Sequence, residues 1–295
     1  MPFTDMLLAG LVALLWGGNF TVVRLGLDGG IPPLLFAALR FAVASSLMLI
    51  VPRPAVPWRQ VLLLGLVLGV GLYGLSTLSI ACGMAPGLGS LVLQSQAFLT
   101  IALAAFVLGE RPPAVVLVGT AIASAGLALI GLRGGAGSTF AGLALTLAAA
   151  GCWAVSNILI KRLGGIDMLA LSVWMSPVAA VALALSSLLF EAPAAAWAHR
   201  SWGAVAAVLY AGPLSAAAGS ALWGTLLKRY PASRVAPFSL LVPVFGLALA
   251  ALCLDERLDQ TKVAAAGLVF AGLALVVFKP RFRRRSAAGP TARIL

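Results

Sequence analysis

Eight side chains of this sequence could carry a proton or hold a hard metal ion: Asp5, Asp28, Glu110, Asp167, Glu191, Asp255, Glu256 and Asp259. A carboxylate buried among apolar residues is the usual relay of a proton-driven pump. None of the eight falls at the centre of an apolar run, so neither such a relay nor intramembrane aspartyl chemistry is expected. The single histidine, His199, stands beside Arg200 in a connection, and Cys82, Cys152 and Cys253 are odd in number, lie in apolar stretches and form no Cys-x-x-Cys pair. No catalytic dyad, metal cluster, cofactor or disulfide framework is expected from these residues. The available chemistry is binding rather than bond-making.

Candidate binding groups are aromatic and amide residues at helical spacing. Trp16 pairs with Asn19, Tyr73 with Ser76 and Thr77, Ser90 with Gln94 and Phe98, Trp153 with Ser156 and Asn157, and Ser215 with Gly219 and Trp223. Gln96 and Ser239 add polar groups to the paired runs 85–108 and 233–254. Amides in lipid are costly without a partner, so these faces read as the walls of a cavity. The other readings are amides that join helices and tryptophans at headgroup level; Trp16 and Trp153 lie several residues inside their runs, which favours the cavity. Arg40 is the one basic residue near the centre of a run. It is either an anchor for a substrate carboxylate or a packing arginine satisfied by backbone carbonyls. One cation does not suit phosphate or sugar-nucleotide cargo, which calls for several. The expected substrate-binding set is Trp16, Asn19, Arg40, Tyr73, Ser76, Gln94, Gln96, Trp153, Asn157, Trp223 and Ser239.

The elements that must position these residues are membrane spans. With 62% hydrophobic and 9% charged residues and a mean hydropathy of +1.08, the chain lies far from a soluble domain. Apolar runs bounded by Pro, Gly and charge predict helices near 5–23, 31–51, 60–82, 85–108 and 113–132, then 139–161, 167–190, 201–226, 233–254 and 260–278. The first run has no basic residue before it, which predicts a retained helix rather than a cleaved signal. Alternate connections carry fourteen Lys and Arg against five, placing both termini in the cytoplasm. Of the net +12, much sits in Lys279, Arg281, Arg283, Arg284, Arg285 and Arg293, directly after a span. That position predicts attraction to anionic headgroups, not nucleic acid binding. Gly69-x-Gly71-x-x-Gly74 matches a dinucleotide fingerprint as a string, but it lies inside an apolar run with no preceding strand, and with Gly65 it reads as a close-packing surface. Pro177, Pro213, Pro237 and Pro243 are hinges or merely kinked packing.

The two halves match weakly and in order. LLWGGNF around Trp16 matches GCWAVSNI around Trp153, and the stretch from Leu108 through Glu110-Arg111 matches the one from Leu254 through Glu256-Arg257 at an offset of 146 residues. Five helices is an odd number, so the second copy must run upside down. The expected organisation is residues 1–133 and 134–279 as two inverted five-helix repeats, with 280–295 a basic cytoplasmic tail.

The WGGNF start, Leu39-Arg40-Phe41, Leu108-Gly-Glu110-Arg111 and its Glu256-Arg257 counterpart resemble the drug/metabolite transporter superfamily, EamA branch, over nearly the whole chain. One departure is Ala97, where the family usually has proline; Pro243 keeps it in the second half. The resemblance implies an all-α, ten-helix exporter of small metabolites working by alternating access, with amino acids, aromatic ones first, as the cargo that fits the lining. Efflux of lipophilic cations is the alternative within transport, and a membrane enzyme or assembly subunit the alternative outside it. The expected partners are a small-molecule substrate and the bilayer of the inner membrane, for a monomer or weak homodimer.

Overall fold

The computed structural model describes residues 1–132, 138–193, 200–230, 232–257 and 259–278. Among them the chain forms helices and turns and no strand. His199 and the basic tail 280–295 lie outside the described residues. The helices are α1 (Phe3–Asp28), α2 (Pro33–Leu49), α3 (Trp58–Ala81), α4 (Pro86–Leu108), α5 (Ala114–Leu132), α6 (Phe140–Leu163), α7 (Met168–Phe190), α8 (Trp202–Arg229), α9 (Pro237–Leu254) and α10 (Gln260–Phe278). Eight of these are long and apolar enough to cross a bilayer; α2 and α5 contribute the shorter apolar helices Pro33–Leu49 and Ala114–Leu129. Helix α2 is shorter than its apolar run suggests, whereas α5 fills the run predicted for it. Pro33 fixes the first turn of α2, whose last turn tightens to a 3-10 form before Pro52, and α5 starts only after Pro112 and Pro113.

Contacts between helix ends sort the bundle into two faces. On one, Asp5 of α1 meets Arg229 and Tyr230 at the end of α8, Glu110 after α4 meets Lys161 of α6, and Asp167 before α7 meets Lys228 of α8. On the other, the Ser201 amide donates to Gly29 O, Thr139 donates to Cys82 O, Glu191 accepts from the Leu34 and Leu35 amides, and Glu256 accepts from the Gly87 amide. Large apolar side chains such as Phe106 and Leu252, 91% and 79% exposed, point outward as a lipid-facing surface requires.

Close packing depends on small residues, since helices in lipid gain little from apolar burial alone. A Cβ on Gly69 would lie 2.3 Å from Ala179 Cβ, one on Gly65 2.7 Å from Val178, and one on Gly71 2.7 Å from Cys152 Sγ. The glycine string is therefore the seam of α3 against α6 and α7. Helices α5 and α10 meet backbone to backbone: a Cβ on Gly119 would sit 2.7 Å from Gly272 O, one on Gly272 2.3 Å from Gly119 O, and one on Gly126 2.8 Å from Ala265 O.

Irregular backbone recurs in both halves. The middle of α3, Gly65–Gly74, and the middle of α8, Tyr210–Ala218, both widen to a π-helix, and α4 and α9 both carry a 3-10 stretch, at Leu93–Ser95 and Ala236–Leu240. The α4 stretch forms although Ala97 replaces the proline of the resembled pattern, so proline is not what produces it. Helix α4 ends at Gly109 (φ 66°) and α9 at Asp255 (φ 53°), left-handed caps 146 residues apart, and the following Glu110 and Glu256 amides donate to Ala104 O and Ala250 O.

Candidate functional site

Leu68, Leu72 and Tyr73 of the widened middle of α3, with Ser76 just after it, face the bundle axis, where they meet α1, α4, α6, α8, α9 and α10 around a cavity of about 400 Å³. Trp16 and Asn19 line it from α1, Gln94 and Gln96 from α4, Trp153 and Asn157 from α6, Trp223 from α8, and Ser239 from the start of α9. Ten of the eleven residues expected from sequence thus face one space. Ile160, Met168, Leu227 and Val277 carry its wall to the face that holds Asp5, Glu110 and Asp167. Between α1 and α9, and between α4 and α9, neighbouring walls pack closely: a Cβ on Gly17 would lie 2.4 Å from Val242 O, and one on Gly246 2.1 Å from Ser90 Oγ.

Arg40 is the exception. Its side chain is 1% exposed, its Nη2 donates to Ala211 O at 2.8 Å, and its guanidinium lies 4.4 Å from the centre of the Tyr73 ring. The carbonyl it satisfies belongs to the widened, Pro213-containing part of α8, where the helical ladder is irregular. Of the two roles read for it, helix packing is the one its contacts serve, and it does not line the cavity. Gly212 allows the approach, since a Cβ there would be 2.3 Å from Arg40 O.

The polar groups of the wall fall into two sets. Trp16 Nε1 donates to Ser215 O at 3.1 Å, Ser215 Oγ and Tyr210 Oη donate to Leu15 O at 3.2 and 2.9 Å, and the Trp16 and Trp223 rings stand 5.4 Å apart at 52°. Trp16 is thereby stitched to α8, and its ring partner is Trp223. The second set joins α4 to α6: Asn157 Nδ2 donates to Gln96 Oε1 at 3.0 Å and to Thr100 Oγ1 at 3.1 Å. Thr100 was not among the expected residues, although it lies one helical turn after Gln96. Gln94 Nε2 donates to Ser239 O at 3.4 Å, and Asn19 Oδ1 is buried without a partner among the described residues.

No charged side chain is among the residues that line the cavity. Charge begins at its mouth, where the Asp167 carboxylate caps α7 and is held below the usual carboxylate range chiefly by the Ala170 amide, then by Lys228 and the Leu169 amide, against the opposing effect of burial. Such a site can hold a small solute by stacking and neutral hydrogen bonds.

The profile of the EamA-like transporter family matches residues 4–132 and again residues 140–278. A protein of Salmonella typhimurium named "Probable amino-acid metabolite efflux pump" is 40% identical over 96% of this chain and 98% of its own length. The protein of that name from Escherichia coli is 38% identical over 98% of this chain and all of its own. A "Probable terminal-alkyne amino-acid exporter" of Streptantibioticus cattleyicolor is 27% identical over 96% of each chain. One solved crystal structure superposes with a TM-score of 0.65 over 94% of this chain and 98% of that one, at 21% identity, a likeness of fold alone. Apolar helices long enough to span a bilayer, a cavity enclosed between them and two successive matches to one profile agree: the chain is a multi-pass membrane protein that belongs to the EamA-like transporter family.

Proposed function

We propose that this transporter exports small net-neutral solutes of the amino-acid class through the central cavity. The observation that carries the reading is the lining itself, tryptophans and amides with no charge, in a volume suited to one small solute. The names of the relatives at 40% and 38% identity point the same way. Lipophilic cations would call for a lining carboxylate, and the wall has none among the described residues.

The proposed architecture is ten spans in two inverted repeats, residues 1–133 and 134–279, with both termini in the cytoplasm. The reading is supported by the two profile matches, by the recurrence of π, 3-10 and left-handed segments in corresponding helices, and by the excess of Lys and Arg on the connections of one face. The cavity then reaches the cytoplasmic side, the state from which an exporter loads. Counterflow in proteoliposomes against a panel of radiolabelled amino acids tests the function: exchange of neutral amino acids is expected, and exchange of organic cations alone would overturn it.

With no carboxylate on the wall, transport should be indifferent to a proton gradient at fixed substrate gradient. An ionophore that collapses the gradient and abolishes transport would contradict this facilitator reading. Trp153→Ala and Trp16→Ala remove stacking surface, and Trp16→Ala also removes the ring contact with Trp223. Each is expected to weaken aromatic cargo by about 1 kcal/mol, or several-fold in half-saturation concentration, while a small aliphatic amino acid suffers less. Equal losses for both cargoes would deny the rings a place in the site.

A further inference from the structure

The hydrogen bonds between α4 and α6 determine which way two amides face. Thr100 Oγ1 donates to Gln96 O at 2.7 Å, so its only proton is spent and its oxygen can only accept. The Asn157 group that meets this oxygen must therefore be the NH2, as found at 3.1 Å, and its second proton goes to Gln96 Oε1 at 3.0 Å. Both orientations are locked by this chain. The ends left over are Gln96 Nε2, a donor, and Asn157 Oδ1, an acceptor. Neither has a protein partner among the described residues, neither is sealed from solvent, and both residues line the cavity.

A fixed donor beside a fixed acceptor in a charge-free wall complements a group whose own acceptor and donor sit side by side. The carboxylate and ammonium of an α-amino acid are attached to one carbon and have that pattern. Hydrogen bonds to charged partners are about twice as strong as neutral ones, so two amides replace part of the lost hydration of each charge without adding net charge. We infer that Gln96 Nε2 binds the carboxylate and Asn157 Oδ1 the ammonium of a free α-amino acid, making these two residues the head-group specificity determinants. The inference rests on the amino-acid reading above. Gln96 comes from the first profile match and Asn157 from the second, so the pair spans the two halves. The rest of the solute occupies the volume bounded by Leu72, Trp16 and Trp223.

Competition in the counterflow assay tests it, with phenylalanine or leucine as tracer, whichever the vesicles exchange. The competitors are the free amino acid, its methyl ester, which keeps the ammonium, and its N-acetyl form, which keeps the carboxylate. For the unaltered protein each masked form should compete about tenfold less well, the worth of one charge-assisted hydrogen bond. In Gln96→Met the penalty against the ester should shrink while that against the N-acetyl form persists; in Asn157→Leu the pattern should reverse. A merely structural role would lower all three together, and that uniform loss overturns the assignment. Equal competition by all three forms against the unaltered protein overturns it without any variant. If no free amino acid competes at all, the amino-acid reading itself falls, an outcome distinct from equal competition.

Discussion

Glu256→Gln should destabilise the protein by about 3–5 kcal/mol, the usual consequence of removing one partner from a buried ion pair. Glu256 Oε1 is 3.2 Å from Lys262 Nζ, the side chains are 10% and 5% exposed, and Lys262 also donates to Arg257 O at 2.9 Å. The other carboxylate oxygen accepts from the Gly87 amide at 3.0 Å, in the first turn of α4. The substitution leaves a lysine ammonium buried without its counter-charge and the α4 end with a weaker acceptor. A lowered melting temperature in detergent is the expected readout, and the double variant Glu256→Gln with Lys262→Met should recover most of the loss because the stranded charge is gone. Failure of the second change to restore stability would show that the ion pair is not the cause. Glu110→Gln is the control: its lysine partner is Lys161, both side chains are about half exposed at 48% and 56%, and the loss should stay within about 1 kcal/mol.

Gly272→Leu should prevent the bundle from assembling. Its Cβ would lie 2.3 Å from Gly119 O and 2.7 Å from Ala123 N, backbone atoms that cannot swing aside, so α5 and α10 must separate. Overpacking of a yielding core costs about 1–3 kcal/mol, and contact with rigid backbone exceeds that range. The same replacement at Gly267, on the same helix with nothing within 4 Å of its Cβ, should leave the yield of folded protein unchanged. Equal yields for the two variants, by size-exclusion profile and melting temperature, would refute the seam.

The sequence shows the helices because membrane insertion depends on apolar length, a property of consecutive residues. It also shows the cavity lining, since amides at Asn19, Gln94, Gln96 and Asn157 are too costly in lipid to be incidental. What it does not show is partnership. Arg40 looks the same whether it meets cargo or backbone, and only the arrival of Tyr73 and Ala211 from α3 and α8 decides. The π segments are equally silent, because Gly65–Gly74 is apolar on every side and a shift in helical period changes no pattern. Thr100 is ordinary in sequence and acquires its role from Asn157, 57 positions away.

The seam between α5 and α10 has a further consequence. At the repeat offset of 146, Gly119 corresponds to Ala265 and Gly126 to Gly272, yet the contacts run Gly119 to Gly272 and Gly126 to Ala265. Each position touches the counterpart of the other, the pattern that the proposed inverted repeat requires of an isologous joint. A connection between the copies adds nothing to such a joint. Two polypeptides produced separately, one ending at Leu132 and the other starting at Ser138, are therefore expected to dock through this joint and to co-purify.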